Sequence, residues 1–181
     1  MNEQVLNIHE ELIGRCRMGD QEAHFRLYKL YSKAMYNVGL RITGNEEDAE
    51  DVLQEAFVNA FKNLGSYRGD ATFGSWLKRI VVNKAINVIK KRKENIIAQE
   101  DEFDIPAEEA DADYMPELSV ESVKRCIEML PDGYRSVLSL YLLEGYDHEE
   151  IAGIMGITES TSKSQLNRAK GKLKELLTKK I

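Results

Sequence analysis

Between Asp147 and Lys174 the chain carries a pattern that leaves few choices of fold. Asp147 followed three residues later by Glu150 is a capping box, in which each side chain satisfies a free backbone N–H of the other, so that a helix starts at a defined place. Ile151, Ala152, Ile154 and Met155 give that helix its apolar residues, and Gly156 ends it with the left-handed backbone that the turn requires. After Ile157, an apolar residue inside the turn, Thr158 caps a second helix in which Leu166, Ala169, Leu173 and Leu176 recur at helical spacing. Two helices so closely joined, with the small Ala152 where they approach, predict a helix-turn-helix. The opposite face of the second helix carries Lys163, Asn167, Lys170 and Lys174, with Ser160, Thr161 and Ser162 at its leading end. Hydroxyls and free amides at a helix N-terminus suit phosphate oxygens, and the polar residues behind them reach base edges in a major groove. The same spacing also describes a solvated amphipathic helix in any bundle, so the remaining sequence has to decide.

Upstream, Asp20 caps a long helix with Ala23, Leu27, Leu30, Tyr31, Ala34 and Val38 as its expected buried stripe and Gly44 as its stop. Asn45 caps the next, whose first turns are crowded with Glu46, Glu47, Asp48, Glu50, Asp51 and Glu55 while Ala49, Val52, Leu53, Ala56, Phe57, Ala60 and Phe61 face inward. The helix dipole favours acids there, yet six exceed what capping needs. A polar loop from Ser66 to Ala71 follows, with Tyr67 and Arg68 at its centre, and Thr72 caps a third helix. Phe73, Trp76, Leu77, Ile80, Val81, Ala85, Val88 and Ile89 are its apolar residues; its charged positions from Lys78 to Lys93 are all basic. A helix displaying only cations repels itself unless an anion lies along it, and nucleic acid fits. Trp76 alone reads equally well as a core aromatic; the loop, the Trp and the basic helix together suit a single strand, whose bases stack on rings while cations hold its backbone.

From Asn95 to Leu118 nine acids occur with no Lys or Arg, and Pro106 and Pro116 discourage a helix. This stretch reads as a linker, either a plain tether between two cationic surfaces or a mimic of a nucleic-acid strand in a basic channel. A second domain starts near Ser119: Val120, Val123, Ile127 and Leu130 line one helix and Val137, Leu138, Tyr141 and Leu142 the next, with a turn at Pro131, Asp132 and Gly133. With Ile181 soon after the helix-turn-helix, no sensory extension is expected. The fold class is therefore all-α, two small helical domains over 1–95 and 119–181 joined by a flexible acidic linker at 96–118.

The composition excludes several functions. With 43% apolar residues in 181, two small cores are affordable, and the net charge of −6 misleads because the charges are sorted into blocks. No apolar run is long enough to span a bilayer and Met1 to Glu10 lacks the features of a signal, so the expected location is the cytoplasm. Cys16 and Cys126 have neither CxxC spacing nor a histidine pair nearby and read as reduced core residues. His9, His24 and His148 are scattered, no carboxylate has a nucleophile or histidine at useful spacing, and neither cofactor nor metal is indicated; the chain reads as a non-enzyme.

The ordered motifs together resemble a bacterial RNA polymerase sigma factor of the sigma-70 family, in its extracytoplasmic-function (ECF) group. Asp48-Ala49-Glu50-Asp51-Val52-Leu53-Gln54-Glu55-Ala56-Phe57 resembles the region-2 segment that docks on the clamp helices of core polymerase. Tyr67-Arg68-Gly69, then Phe73-Gly74-Ser75-Trp76-Leu77 and Arg79-Ile80-Val81-Val82-Asn83, resemble the segment that melts the promoter and reads its minus-10 element. Tyr146 to Ala152 and Ser160 to Lys170 resemble region 4, which reads the minus-35 element. The acidic linker stands where larger members have region 3. Asn87 and Lys90 stand where the family often has an aspartate and an arginine, and Ser160, Ser162 and Gln165 where a Gly, a Val and an Arg are common. Because Arg favours guanine and Gln adenine, a departure from the usual minus-35 sequence is implied.

The resemblance implies that Asp48, Asp51, Val52, Gln54, Glu55 and Phe57 bind polymerase. It implies minus-10 contacts for Tyr67, Arg68, Gly69, Asp70, Ala71, Thr72, Phe73, Trp76, Arg79, Asn83 and Lys84. Minus-35 contacts fall to Ser160, Thr161, Ser162, Lys163, Gln165, Leu166, Arg168 and Lys170. The implied partners are core RNA polymerase, through its clamp helices and flap, and promoter DNA, duplex and single-stranded; many members also have an anti-sigma factor, which no residue here identifies. Two other classes fit parts of the sequence. An operator-binding regulator would use the helix-turn-helix without polymerase, and a helical adaptor would bind protein alone.

Overall fold

Most helices begin at the caps visible in the sequence. The computed structural model describes residues 2–97 and 119–179, with side-chain environments for 9–93 and 119–178. Among the described residues there is no strand. The elements are α1 (Asn2–Arg17), α2 (Gln21–Thr43), α3 (Glu46–Lys62), a 3-10 turn (Leu64–Ser66), α4 (Phe73–Ile97), α5 (Val120–Glu128), α6 (Asp132–Leu138), a π-helical turn (Ser139–Leu143), α7 (His148–Met155) and α8 (Glu159–Lys179). The all-α expectation holds. Apart from its first two residues, which lie in α4, the expected linker falls outside the described residues. Asp20 Oδ1 accepts from the Ala23 N–H at 3.1 Å, Asn45 Oδ1 from Asp48 at 2.9 Å, Thr72 Oγ1 from Ser75 at 3.2 Å and Ser119 Oγ from Ser122 at 3.1 Å, so each satisfies a donor with no partner inside its helix. α1 was not anticipated; its buried Leu12, Ile13 and Cys16 are too short a stripe to announce a helix.

The chain forms two compact units, Met1–Leu40 with Asn45–Ala85, and Arg41–Gly44 with Ile86–Ile181. In the first, Ala23, Leu27, Met35 and Val38 of α2, Ala49, Val52, Leu53, Ala56, Phe57 and Ala60 of α3, and Phe73, Leu77, Val81 and Val82 of α4 are buried. Tyr28 meets Phe57 edge-on at 4.8 Å, and His24 meets Phe61 at 4.6 Å. Two expected core residues of α2 are outside: Leu30 is 57% exposed and Ala34 is exposed, while Met35 takes the inner position. A stripe of i, i+3 and i+4 residues allows either choice, and the neighbouring helices decide.

The second unit holds a buried cation that no motif announced. Arg135, 4% exposed, donates to the carbonyls of Ile42 at 3.1 Å, Thr43 at 2.8 Å and Leu130 at 2.7 Å, and to the Asp132 carboxylate. Ser139 Oγ donates to the Arg41 carbonyl at 3.1 Å. The last carbonyls of α2, which lack intrahelical donors, are satisfied by side chains of α6 and the π-helical turn. Gly44 lies against this guanidinium: with φ at +64°, a Cβ there would come within 2.5 Å of Arg135 Cζ. The predicted turn at Pro131–Gly133 is tighter than expected, since Asp132 already opens α6. Val120, Tyr141 and Leu142, expected to face inward, are exposed; the π-helical turn changes the register of the last two.

Candidate nucleic-acid interface

The helix-turn-helix forms as its sequence dictates. Asp147 Oδ1 accepts from the Glu150 N–H at 2.8 Å, and Glu150 Oε2 accepts from the Asp147 N–H at 3.0 Å, completing the capping box. Gly156 takes φ +71°, and its N–H and that of Ile157 both donate to the Ala152 carbonyl, at 2.9 and 3.1 Å. This is the bond pattern that ends a helix on a left-handed residue. Thr158 Oγ1 then accepts from the Thr161 N–H at 3.1 Å and starts α8.

α8 separates its residues cleanly. Leu166 and Ala169 are buried, while Ser160, Lys163, Ser164, Asn167, Arg168, Lys170 and Lys174 form a continuous outer stripe. Lys163 pairs with Glu159 one turn back at 2.5 Å, an exposed pair of small energetic weight that a phosphate can replace. Four of the residues expected on DNA do not belong to that stripe, among them Thr161, which is half-buried. Ser162 is 0% exposed and Leu166 is buried, so both pack inside the helix-turn-helix and cannot touch a base. Gln165 is half-buried, and its Oε1 is turned inward without a hydrogen-bond partner, 3.7 Å from where a Cβ on Gly133 of α6 would sit. A motif match assigns roles by position in sequence, whereas the 3.6-residue period turns positions 162, 165, 166 and 169 to the same side.

In the first unit the loop before α4 is folded onto aromatic rings. Tyr67, Phe73 and Trp76 stand 5.4 to 5.6 Å apart by ring centroid, with Tyr31 5.3 Å from Phe73. The Tyr67 hydroxyl donates to the Ala71 carbonyl at 2.7 Å, closing the loop on itself. Burial, then the Glu10 carboxylate, push the Tyr67 phenol above its ordinary value; Arg17 opposes and Asp70 adds, so the phenol remains a donor at neutral pH. Arg17 of α1 holds the loop from beneath, donating to the carbonyls of Leu64 at 3.4 Å and Tyr67 at 2.6 Å. This role had no signal in the sequence, because fifty positions separate the partners. Phe73 is buried and supports the cluster, whereas Arg68, Gly69, Asp70, Ala71 and Thr72 are exposed and Trp76 is half-buried. Trp76, Arg79 and Asn83 then follow one stripe of α4, the last two exposed.

On α3 the outer face presents Glu46, Glu47, Glu50, Asp51, Gln54 and Glu55, with Asp48 half-buried at the cap. Val52 and Phe57, which the resemblance puts on the docking surface, are core residues as their apolar spacing predicts, since positions 49, 52, 53, 56, 57 and 60 make up the inner stripe of this helix. Glu55 and Lys84, assigned to different partners, are brought together at 3.0 Å. Cys16 and Cys126 are buried thiols, as expected. Among the described residues no group of His, Cys, Asp and Glu has metal-binding geometry, and no helix is long and apolar enough to cross a membrane.

Two family models match the chain, Sigma-70 region 2 over residues 27–95 and Sigma-70, region 4 over residues 121–173. The chain is 32% identical over 185 residues to the ECF RNA polymerase sigma-E factor of Escherichia coli (strain K12), spanning 94% of this chain and 93% of that protein. It is 30% identical over 176 residues to the ECF RNA polymerase sigma factor SigW of Bacillus subtilis (strain 168), spanning 91% and 94%. Among solved structures, the sigma factor RpoE in complex with the anti-sigma factor NepR from Bartonella quintana is similar in fold, with a TM-score of 0.56, 24% identity and coverage of 84% of this chain and 95% of that one. CnrH in complex with the cytosolic domain of CnrY gives 0.53 at 24% identity, covering 92% and 95%.

Proposed function

The chain belongs to the sigma-70 family, in its extracytoplasmic-function group, and from that premise we propose how its surfaces divide the work of starting transcription. As a sigma factor it binds core RNA polymerase and directs initiation at particular promoters. Residues 1–95 serve polymerase docking and the minus-10 element, 119–181 the minus-35 element, and 96–118 connects them. The exposed acids of α3, chiefly Asp51 and Glu55 with Gln54 between them and Asp48 at the cap, grip the clamp helices of the polymerase, while the helices from α5 onward meet its flap.

The observation that carries the DNA reading is the outer stripe of α8. A capped helix-turn-helix exposes Ser160, Lys163, Arg168 and Lys170 along one side and buries apolar residues on the other, as a helix lying in a major groove requires. Thr161 is half-buried, its hydroxyl 2.7 Å from that of Thr158, and it contributes mainly by fixing the end of α8 that meets phosphate. At the minus-10 element the exposed loop Arg68–Thr72 and the ring of Trp76 receive an unstacked base, and Arg79, Asn83 and Lys84 follow the strand. Unstacking costs a few kcal/mol, which capture in a fitted pocket offsets. Lys84 must exchange Glu55 for a phosphate to take part, so polymerase docking through Glu55 and strand capture through Lys84 both break this one pair and favour each other.

No bond-making chemistry is assigned to the chain, its place of action is the cytoplasm, and an anti-sigma factor is a fitting regulatory partner. Run-off transcription with core polymerase on genomic promoters, with and without the chain, tests the whole reading. Promoter-specific transcripts that depend on the chain are expected. An operator-binding regulator would instead bind duplex tightly without polymerase, and an adaptor would be indifferent to Lys163→Ala with Lys170→Ala.

A further inference from the structure

We propose that His148 and Ser162 form a positioning pair that sets the rotation of α8 in the groove, and with it the base preference of the minus-35 contact. The inference rests on the minus-35 reading of α8. Ser162 lies between the exposed Thr158-to-Ser160 turn and Lys163, yet its side chain is fully buried. Its backbone N–H donates to the Thr158 carbonyl at 2.9 Å, and its hydroxyl lies 2.9 Å from Nδ1 of His148, the first residue of α7. The imidazole is fixed on a second side as well. Its face stacks on the ring of Tyr141, in the π-helical turn, at 4.6 Å between centroids and 20° between planes.

The reason for assigning this pair a role in specificity is directional. Ile151, Leu166 and Ala169 hold the helices of the second unit together by apolar burial, which sets separation but tolerates small rotations. A hydrogen bond weakens steeply as its angle departs from linear, so one such bond near the leading end of α8 fixes rotation as well as distance. A recognition constellation must be held to about 0.5 Å and 10–20° to read its target, and the exposed Ser160 and Lys163 flank Ser162 closely. Ser162 is thus a positioning residue, acting on DNA through the side chains beside it. The stacked Tyr141 locks the ring that Ser162 depends on.

The test uses holoenzyme reconstituted from this chain and Escherichia coli core RNA polymerase. It is presented with duplexes built on a promoter active in run-off transcription, with the minus-35 segment randomised, and bound DNA is sequenced. His148→Phe keeps a ring for Tyr141 but offers no nitrogen to Ser162. This variant and Ser162→Val are each expected to lower discrimination between preferred and next-best bases about fivefold, the factor that one net hydrogen bond carries. The salt dependence of binding stays unchanged, because no phosphate contact is removed. His148→Asn, whose amide can take the place of Nδ1, is expected to restore discrimination to within about twofold of wild type on the same grounds. Should Ser162→Val fail to fold, the two His148 variants decide between them. Undiminished discrimination in His148→Phe overturns the inference, as does a His148→Asn variant that falls equally far. A wild-type holoenzyme with no minus-35 preference overturns the underlying reading and the inference together, whereas a selective wild type with unaffected variants overturns the pair alone.

Discussion

Removing Lys163 and Lys170 together should change how salt weakens promoter binding, by an amount the helix geometry sets. The two lie on the outer stripe of α8 seven positions apart, about 10.5 Å along the axis at about 1.5 Å per residue. The major groove is about 12 Å wide, so lysines that far apart on a helix lying in it can reach phosphates on both of its walls. Each phosphate contact contributes about 0.9 to the slope of log affinity against log salt, so Lys163→Ala with Lys170→Ala should reduce that slope by about 1.8. Between about 50 and 200 mM salt, wild type should then lose about twelvefold more affinity than the double variant. The Glu159 pair subtracts little, because both side chains are more than half exposed, at 53% and 58%. Glu159→Gln is the companion perturbation of opposite sign: losing an anion beside the phosphates should raise affinity about twofold at low salt, while losing an acid from the first turn of α8 costs about 0.3 to 1 kcal/mol of stability. Fluorescence anisotropy of a labelled promoter duplex with reconstituted holoenzyme, across a salt series, measures the slope and the affinities, and chemical denaturation of the free chain measures the stability. A double variant with the wild-type slope would refute the placement of this face on phosphate.

Asp51→Lys should slow association with core polymerase about tenfold at low salt, with the difference shrinking as salt rises, because an exposed charge acts mainly on encounter; stopped-flow mixing checks it, and unchanged rates would remove the acidic face of α3 from the docking surface. Phe57→Ala should cost about 3–5 kcal/mol in chemical denaturation, since the ring is buried against Tyr28. A variant of wild-type stability that fails to bind polymerase would return Phe57 to the docking surface. The Asp20 carboxylate is held below its ordinary value first by the Ala23 N–H and then by Arg15, whose Nε donates to it at 2.8 Å. A lowered folded value means that its stabilisation is present above the ordinary carboxylate range and is lost as pH falls through the folded value. Asp20→Asn should therefore lower the unfolding temperature at neutral pH and reduce its fall upon acidification; parallel acid limbs for the two proteins would contradict the assignment.

The expected minus-10 and polymerase surfaces meet at one ion pair, Glu55 with Lys84. Both groups are partly solvated, so the pair is weak and exchangeable, which suits residues that must change partners on assembly. Arg135 is the opposite case. Burial and four or more acceptors make its position a fixed part of the second unit, since removing it would leave several carbonyls unsatisfied at once.

What the sequence determined by itself is where helices start and stop, which residues form the helix-turn-helix, and which blocks of charge belong to which helix. Those features rest on partners within about four positions of each other: Asp147 with Glu150, Thr158 with Thr161, Asn45 with Asp48, and Gly156 through its own backbone freedom. Tertiary structure alone decided which motif residues remain available. Phe73 and Ser162 went into the core, Leu30 and Val120 came out, Gln165 turned toward α6, and Arg17, Arg135 and His148 acquired partners 14 to 93 positions away, whereas the burial of Val52, Phe57 and Leu166 follows from their own apolar spacing and overrides only the motif match. The physical reason is that a helix specifies its faces but not what covers them. Exposure follows from the packing of segments distant in sequence, and only an exposed residue can touch polymerase or DNA.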